Sequence, residues 1–158
     1  MGPLTGKEQF EKTAEFAELG SREGRITTGG ARVGDKGYFF APTVVADVKP
    51  GSRMEQEEIF GPVLAVIRAK DWDDAIRIAN DTEFGLTGAV YSKDAKHLDD
   101  AKRRFHVGNL YLNRKCTGAL VGAQPFGGYD MSGTCSKAGG PDYLGLFLQQ
   151  KSIATRTR

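Results

Sequence analysis

The sequence predicts an α/β fold with a largely parallel sheet. Strand, helix, strand, helix and strand patterns follow one another over residues 63–112, the alternation that parallel strands joined by helical crossovers require. The run at 63–69 (VLAVIRA) is apolar and partly β-branched, as expected of a buried strand.

In chain order, residues 7–23 read as a helix, with Phe10, Ala14, Ala17 and Leu19 as its apolar stripe opposite Lys and Glu. Thr5 with Glu8 has the capping-box pattern, and Gly24 is a stop signal. Residues 25–28 read as a short strand ending at Gly29-Gly30. Tyr38-Phe39-Phe40 and Thr43-Val44-Val45 are strand-like, interrupted at Pro42. Residues 48–51 form a turn, and 53–56 one helical turn. After the strand at 63–69, residues 71–81 carry the strongest helical pattern. Trp72, Ala75, Ile76 and Ala79 share a face, while Asp71, Asp73 and Asp74 suit the N-terminal end of the helix dipole. A strand at 86–91, a helix at 94–105 with Leu98, Ala101 and Phe105 inward, and a strand at 107–112 complete the series. Spacing leaves 144–148 and 151–155 open between helix and strand. Trp72 and the Phe residues are assigned to the core, and no linker divides the chain.

A length of 158 residues suits one core. The apolar fraction of 39% and charged fraction of 27% are those of a soluble globular protein. A net charge of +2 argues against nucleic acid as a partner. No apolar run reaches the roughly 18 residues of a membrane span, and the Glu-rich opening does not read as a leader. Two cysteines, Cys116 and Cys135, are too few for a disulfide framework, so a reducing compartment, the cytoplasm, is expected. No Cys/His cluster has metal-ligand spacing, so no metal is expected. His97 and His106 read as surface or packing residues.

Residues 57–63 (EEIFGPV) are the most telling stretch. In strand-like geometry Glu58 and Phe60 share a side, with Ile59 buried behind them. A carboxylate there can accept hydrogen bonds from ribose hydroxyls, and the ring can pack on a nicotinamide. A surface acidic pair before a core strand is the competing reading; the whole string favours a cofactor site. Glycine is in excess, 21 residues against about 11 at average usage, concentrated without a period in 118–145. The loop at 117–128 offers backbone N–H groups as a nest for a carboxylate, and Phe126 could pack on an aliphatic substrate chain. A structural loop needing positive φ fits that composition equally well. Cys116 sits beside Arg114 and Lys115, which favour a thiolate, but no His is placed near it, and a small buried Cys is the commoner outcome. Cys135 reads as exposed in a Ser/Gly/Thr loop without a hydrolase elbow.

Five strings, at residues 30–45, 55–66 (EQEEIFGPVLAV), 84–91 (FGLTGAVY), 108–113 (GNLYLN) and 117–143, resemble the aldehyde dehydrogenase superfamily in order and over nearly the whole chain. Within it the likeness is to the 1-pyrroline-5-carboxylate dehydrogenases. The resemblance implies the three-layer, largely parallel α/β catalytic domain plus a C-terminal oligomerisation segment. Residues 1–112 would be catalytic-domain body, 113–142 the substrate loop region and 143–158 the oligomerisation segment. Glu58 looks like the nicotinamide-ribose carboxylate, Phe60 like its neighbouring ring, Gly118 and Ala119 like the anchor of the substrate α-carboxylate, and Phe126 like a wall of the aldehyde tunnel. The implied reaction is NAD-dependent oxidation of L-glutamate γ-semialdehyde, a small aldehyde acid, to glutamate in proline catabolism, by a homo-oligomer. In this family the nucleophilic Cys, the base Glu and the dinucleotide-binding half lie N-terminal to the matched region. The chain is therefore expected to be a C-terminal part, inactive without its missing half. A free-standing, non-catalytic domain for self-association or carboxylate binding is the alternative.

Overall fold

The computed structural model describes residues 1–118, 120, 124, 126–133, 141 and 143–157. They form two compact units, Met1–Thr82 and Glu83–Arg158.

The first unit holds helix α1 (Lys7–Glu23), strands β1 (Arg25–Thr28) and β2 (Thr43–Val48), the short α2 (Arg53–Gln56), β3 (Val63–Ile67) and α3 (Trp72–Asn80). Its sheet has the order β1-β2-β3: β1 pairs antiparallel with β2, and β2 pairs parallel with β3 from Thr43–Val63 to Val45–Ala65. Phe16, Val45, Val48, Met54 and Ile59 make the core between α1 and the sheet. The buried face of α1 is Thr13, Phe16, Ala17 and Gly20; it shares Ala17 with the stripe read in the sequence, whose Phe10, Ala14 and Leu19 are only partly buried. The difference arises because a hydroxyl bonded within its own turn buries readily: Thr13 Oγ1 donates to the Gln9 carbonyl at 2.7 Å. The expected Thr5 capping box is not formed. Gly6 is the N-cap, without a side-chain cap, so Thr5 lies one residue too early. Gly24 does end the helix, its N–H bonded to the Gly20 carbonyl.

Residues 38–40 are not a strand; only Phe40 forms a bridge, with Arg32. The chain instead folds around the Arg32 guanidinium, which donates to the carbonyls of Gly34, Asp35 and Gly37 and lies over the Phe10 ring. Strand β3 is not buried on both faces: Leu64 is 60% exposed and Val66 43%. The strand is the last in its three-stranded sheet, and only one of its faces meets the core. Helix α3 is capped as its acidic start promises, Asp71 accepting from the Asp74 N–H. Its buried residues are Ile76 and Ile78, while Ala79 faces outward.

In the second unit, β5 (Thr87–Val90) and β6 (Asn109–Leu112) pair in parallel across helix α4 (Ala95–Arg104), and β4 (Phe84–Gly85) pairs antiparallel with β7 (Tyr129–Asp130). The predicted strand–helix–strand crossover is present. Ala101 is fully buried, and Leu98 and Phe105 are partly so. Among the described residues the strands belong to three sheets rather than one continuous sheet over 63–112. Residues 143–147 form a 3-10 helix with Leu144 and Phe147 exposed; Phe147, Phe60 and Phe84 show that the Phe residues are not uniformly core. Trp72 is only partly buried.

Candidate functional site

The corner between α2 and β3 is built from its backbone outward. A loop carbonyl held against a core needs a donor, and each carbonyl from residue 58 to 62 has one. Lys12 Nζ donates to Glu58 O at 2.6 Å, and Gln9 Nε2 donates to Ile59 O at 2.8 Å and Phe60 O at 2.9 Å. The Val63 N–H donates to Gly61 O and the Thr43 N–H to Pro62 O, both at 2.8 Å. Helix α1 and strand β2 thus clamp the corner from two sides. Gly61 is required by close approach, since a Cβ there would collide with Thr13 Oγ1.

The clamp fixes where side chains point. Ile59 is buried, and Glu58 and Phe60 are exposed, Phe60 at 78%. Ile59 inside with Glu58 and Phe60 outside is the burial pattern expected, but strand alternation is not its cause. Phe60 has φ 57°, a left-handed conformation unfavourable for an aromatic residue, and the two bonds from Gln9 offset its cost. An open groove of about 510 Å³ runs beside it, lined by Leu4, Phe40, Gly61 and Pro62 among others.

The adjacent carboxylates divide their work. Glu57 pairs with Arg53, which also reaches Glu15 and lies over the Phe16 ring. The hydrogen bond from Arg53 holds the Glu57 carboxyl below its usual range, and the Glu57 carboxylate in turn raises the Arg53 pKa. Among the described residues none bonds the Glu58 carboxylate; Glu58 is engaged through its carbonyl alone. Glu58 is therefore the member open to a ligand.

In the second unit, Gly118 has φ 72°, with no described residue within 4 Å of where a Cβ would stand. Phe126 is partly buried. Ala119 and Cys135 lie outside the described residues. Cys116 is a free, exposed thiol, not the buried residue expected, because residues 113–117 run along the surface beyond the end of β6. His106 stacks on Tyr129 with ring centroids 5.5 Å apart, and His97 lies 3.8 Å from Asp94, both in the packing and surface roles expected. Among the described residues no group of His, Cys, Asp and Glu could hold a metal.

Sequence reasoning missed Gln9, Lys12 and Tyr111. Gln9, Lys12 and Thr13 sit at helical spacing on one edge of the α1 stripe, a polar seam beside an apolar face. That seam was the available signal, although nothing in it names residues 58–60 as its acceptors.

Residues 1–153 match the aldehyde dehydrogenase family. The chain is 57% identical over 154 residues to a 1-pyrroline-5-carboxylate dehydrogenase of Geobacillus sp. (strain WCH70), covering 98% of this chain and 30% of that protein. To 1-pyrroline-5-carboxylate dehydrogenase 2 of Bacillus subtilis (strain 168) it is 54% identical, with the same coverage. Among solved structures it superposes with TM-score 0.94 and 56% identity on a 1-pyrroline-5-carboxylate dehydrogenase from Thermus with bound NAD, over 99% of this chain and 30% of that one. Lactaldehyde dehydrogenase from Escherichia coli superposes with TM-score 0.88 at 32% identity, over 97% and 32%. The chain thus spans about 30% of the length of the curated relatives it matches.

Proposed function

Because the chain belongs to the aldehyde dehydrogenase family, we propose that it is the nicotinamide-corner and substrate-loop portion of an NAD-dependent 1-pyrroline-5-carboxylate dehydrogenase, which oxidises L-glutamate γ-semialdehyde to glutamate. The observation that carries this reading is the division of the acidic pair: Glu57 is bound to Arg53, while Glu58 is exposed with no partner for its carboxylate among the described residues, two positions before the exposed Phe60. The carboxylate of Glu58 accepts the nicotinamide ribose hydroxyls, and Phe60 packs beside the ring. NAD, when bound, supplies the hydride acceptor. Gly118 and Ala119 anchor the substrate α-carboxylate through backbone N–H groups, and Phe126 lines the aldehyde path. Residues 1–112 serve as catalytic-domain body and 113–142 as the substrate loop region.

Activity belongs to the complete enzyme, of which this chain supplies the matched 30%; the nucleophilic Cys is not Cys116. Residues 143–158 pair subunits of a homo-oligomer, a role supported by the exposed Leu144, Leu146, Phe147, Leu148 and Ile153. The free Cys116 thiol fits a reducing compartment, the cytoplasm. Grafting this chain over the matching segment of the Geobacillus relative tests the proposal. The graft is expected to form NADH with L-glutamate γ-semialdehyde, and the isolated chain is expected to form none. A folded graft without activity, beside an active parent, would overturn it.

A further inference from the structure

The residues that hold the start of the substrate loop converge on one peptide. Tyr111, on β6, is 7% exposed, and a buried phenol requires a polar partner. Its hydroxyl donates to the Gly118 carbonyl at 2.6 Å. The same carbonyl accepts from Thr117 Oγ1 at 3.4 Å, and Thr117 Oγ1 accepts from Arg114 at 3.1 Å. The Arg114 guanidinium closes over the Tyr111 ring, 5.1 Å from its centroid. The other foot of the arch is also fixed. Asn113, at φ 53°, accepts from the Ser92 N–H at 2.9 Å and donates to the Ser92 carbonyl at 3.0 Å.

Among the described residues nothing stands within 4 Å of where a Gly118 Cβ would be, and the shortest contact on its carbonyl is the bond from Tyr111. Glycine alone moves freely between left- and right-handed regions, so an unheld Gly118 would sample several orientations of its peptide groups. A nest of backbone N–H groups recognises an anion only when those groups converge.

We infer that Tyr111 is a positioning residue for carboxylate recognition: its buried hydroxyl holds the Gly118 carbonyl at the start of the loop proposed to take the substrate carboxylate. This rests on the proposed reading of residues 117–128 as the substrate loop. The Tyr111 hydroxyl is buried and bonded to Gly118, so its effect is expected on substrates that carry a carboxylate and not on those that lack one.

The grafted enzyme is assayed with L-glutamate γ-semialdehyde and with propanal, which has no carboxylate. Tyr111→Phe is expected to raise KM for the semialdehyde about 5- to 10-fold, the scale of one lost hydrogen bond. KM for NAD and kcat/KM for propanal stay within about 2-fold, and inhibition by L-glutamate weakens in parallel with the semialdehyde KM. An unchanged semialdehyde KM, or an equal loss on both aldehydes, overturns the inference. Should Tyr111→Phe fail to fold, Arg114→Met removes the cover over the ring from the exposed side; the same selective rise supports the inference and an unchanged ratio overturns it. Failure of the unmutated graft to prefer the semialdehyde over propanal would instead sink the substrate-loop reading itself.

Discussion

The side-chain amide of Gln9 donates to the carbonyl of Phe60 at 2.9 Å and, from the same nitrogen, to that of Ile59 at 2.8 Å. One helical side chain thereby closes two acceptors some fifty residues along the chain. It also holds an aromatic residue in left-handed backbone, at φ 57°. Replacing Gln9 by Leu keeps the bulk and removes both donors. Each net hydrogen bond contributes about 0.5–1.5 kcal/mol, so Gln9→Leu is expected to lower unfolding stability by about 1–3 kcal/mol. Urea titration of both proteins checks this, and an unchanged midpoint would show that the clamp does not hold the corner.

Gly61 and Thr13 make a second, steric test of the same clamp. An added Cβ at Gly61 meets Thr13 Oγ1 and, at 3.3 Å, its methyl group, and Thr13 is fully buried. Overpacking a tight site costs about 1–3 kcal/mol, so Gly61→Ala should destabilise by about that much. In the Thr13→Ala background the same substitution is expected to cost distinctly less, because the colliding atoms are gone. Equal costs in both backgrounds would show that the contact does not define the corner.

Acid should weaken the fold through specific carboxylates. Asp74 is held below its usual range first by the Lys70 backbone N–H and then by Arg77, Glu57 by Arg53, and Asp99 by Arg103. A depressed folded pKa stabilises the native state at pH values above the unfolded value, about 3.9 for Asp and 4.3 for Glu, and that contribution disappears as pH falls through the folded value. Stability should therefore be level from pH 7 down to about pH 5 and fall below it. Asp74→Ala should be less stable than the parent at pH 7, with the gap narrowing as pH falls below the unfolded Asp value of about 3.9 and on through the depressed folded one. Urea midpoints measured from pH 7 downward decide it, and a gap independent of pH would show that the loss does not come from the ionised carboxylate.

The parts of the fold visible in the sequence are those set by local chemistry. Residues 7–23 and 72–80 repeat apolar side chains at helical spacing, Asp71 caps as Asp does, and Gly24 stops α1. The exposure of Glu58 and Phe60 was also legible, though for the wrong reason. Strand alternation points to the same exposure, whereas its cause is a set of carbonyl bonds from α1 that joins residues 46 to 51 positions apart. Such pairings leave no local trace. The exposure of Leu64 and Val66 was hidden for a related reason: an apolar run reports what a strand can bury, not which neighbours stand against it. Tyr111 read as one more strand aromatic, and only the bond to Gly118 gives it a role.

Glu57 and Glu58 are neighbours with opposite surroundings, and their variants should separate accordingly. Glu57 bonds Arg53 through both carboxylate oxygens, and Arg53 in turn lies over Phe16 of the core. Glu57→Gln removes the charge from that pair and is expected to lower the thermal midpoint while leaving KM for NAD in the grafted enzyme within about 2-fold, since the carboxylate faces Arg53 rather than a ligand. Glu58→Gln removes only a charge that bonds nothing else among the described residues. It should leave the midpoint unchanged and weaken cofactor use, because charge-assisted hydrogen bonds to ribose hydroxyls are roughly twice as strong as neutral ones. The expected rise in KM for NAD, or fall in kcat/KM, is about 10-fold, the equivalent of one such bond. Paired melts and steady-state assays of the two variants make the comparison. If Glu57→Gln affects NAD kinetics as strongly as Glu58→Gln does, the division of roles between the two carboxylates is wrong.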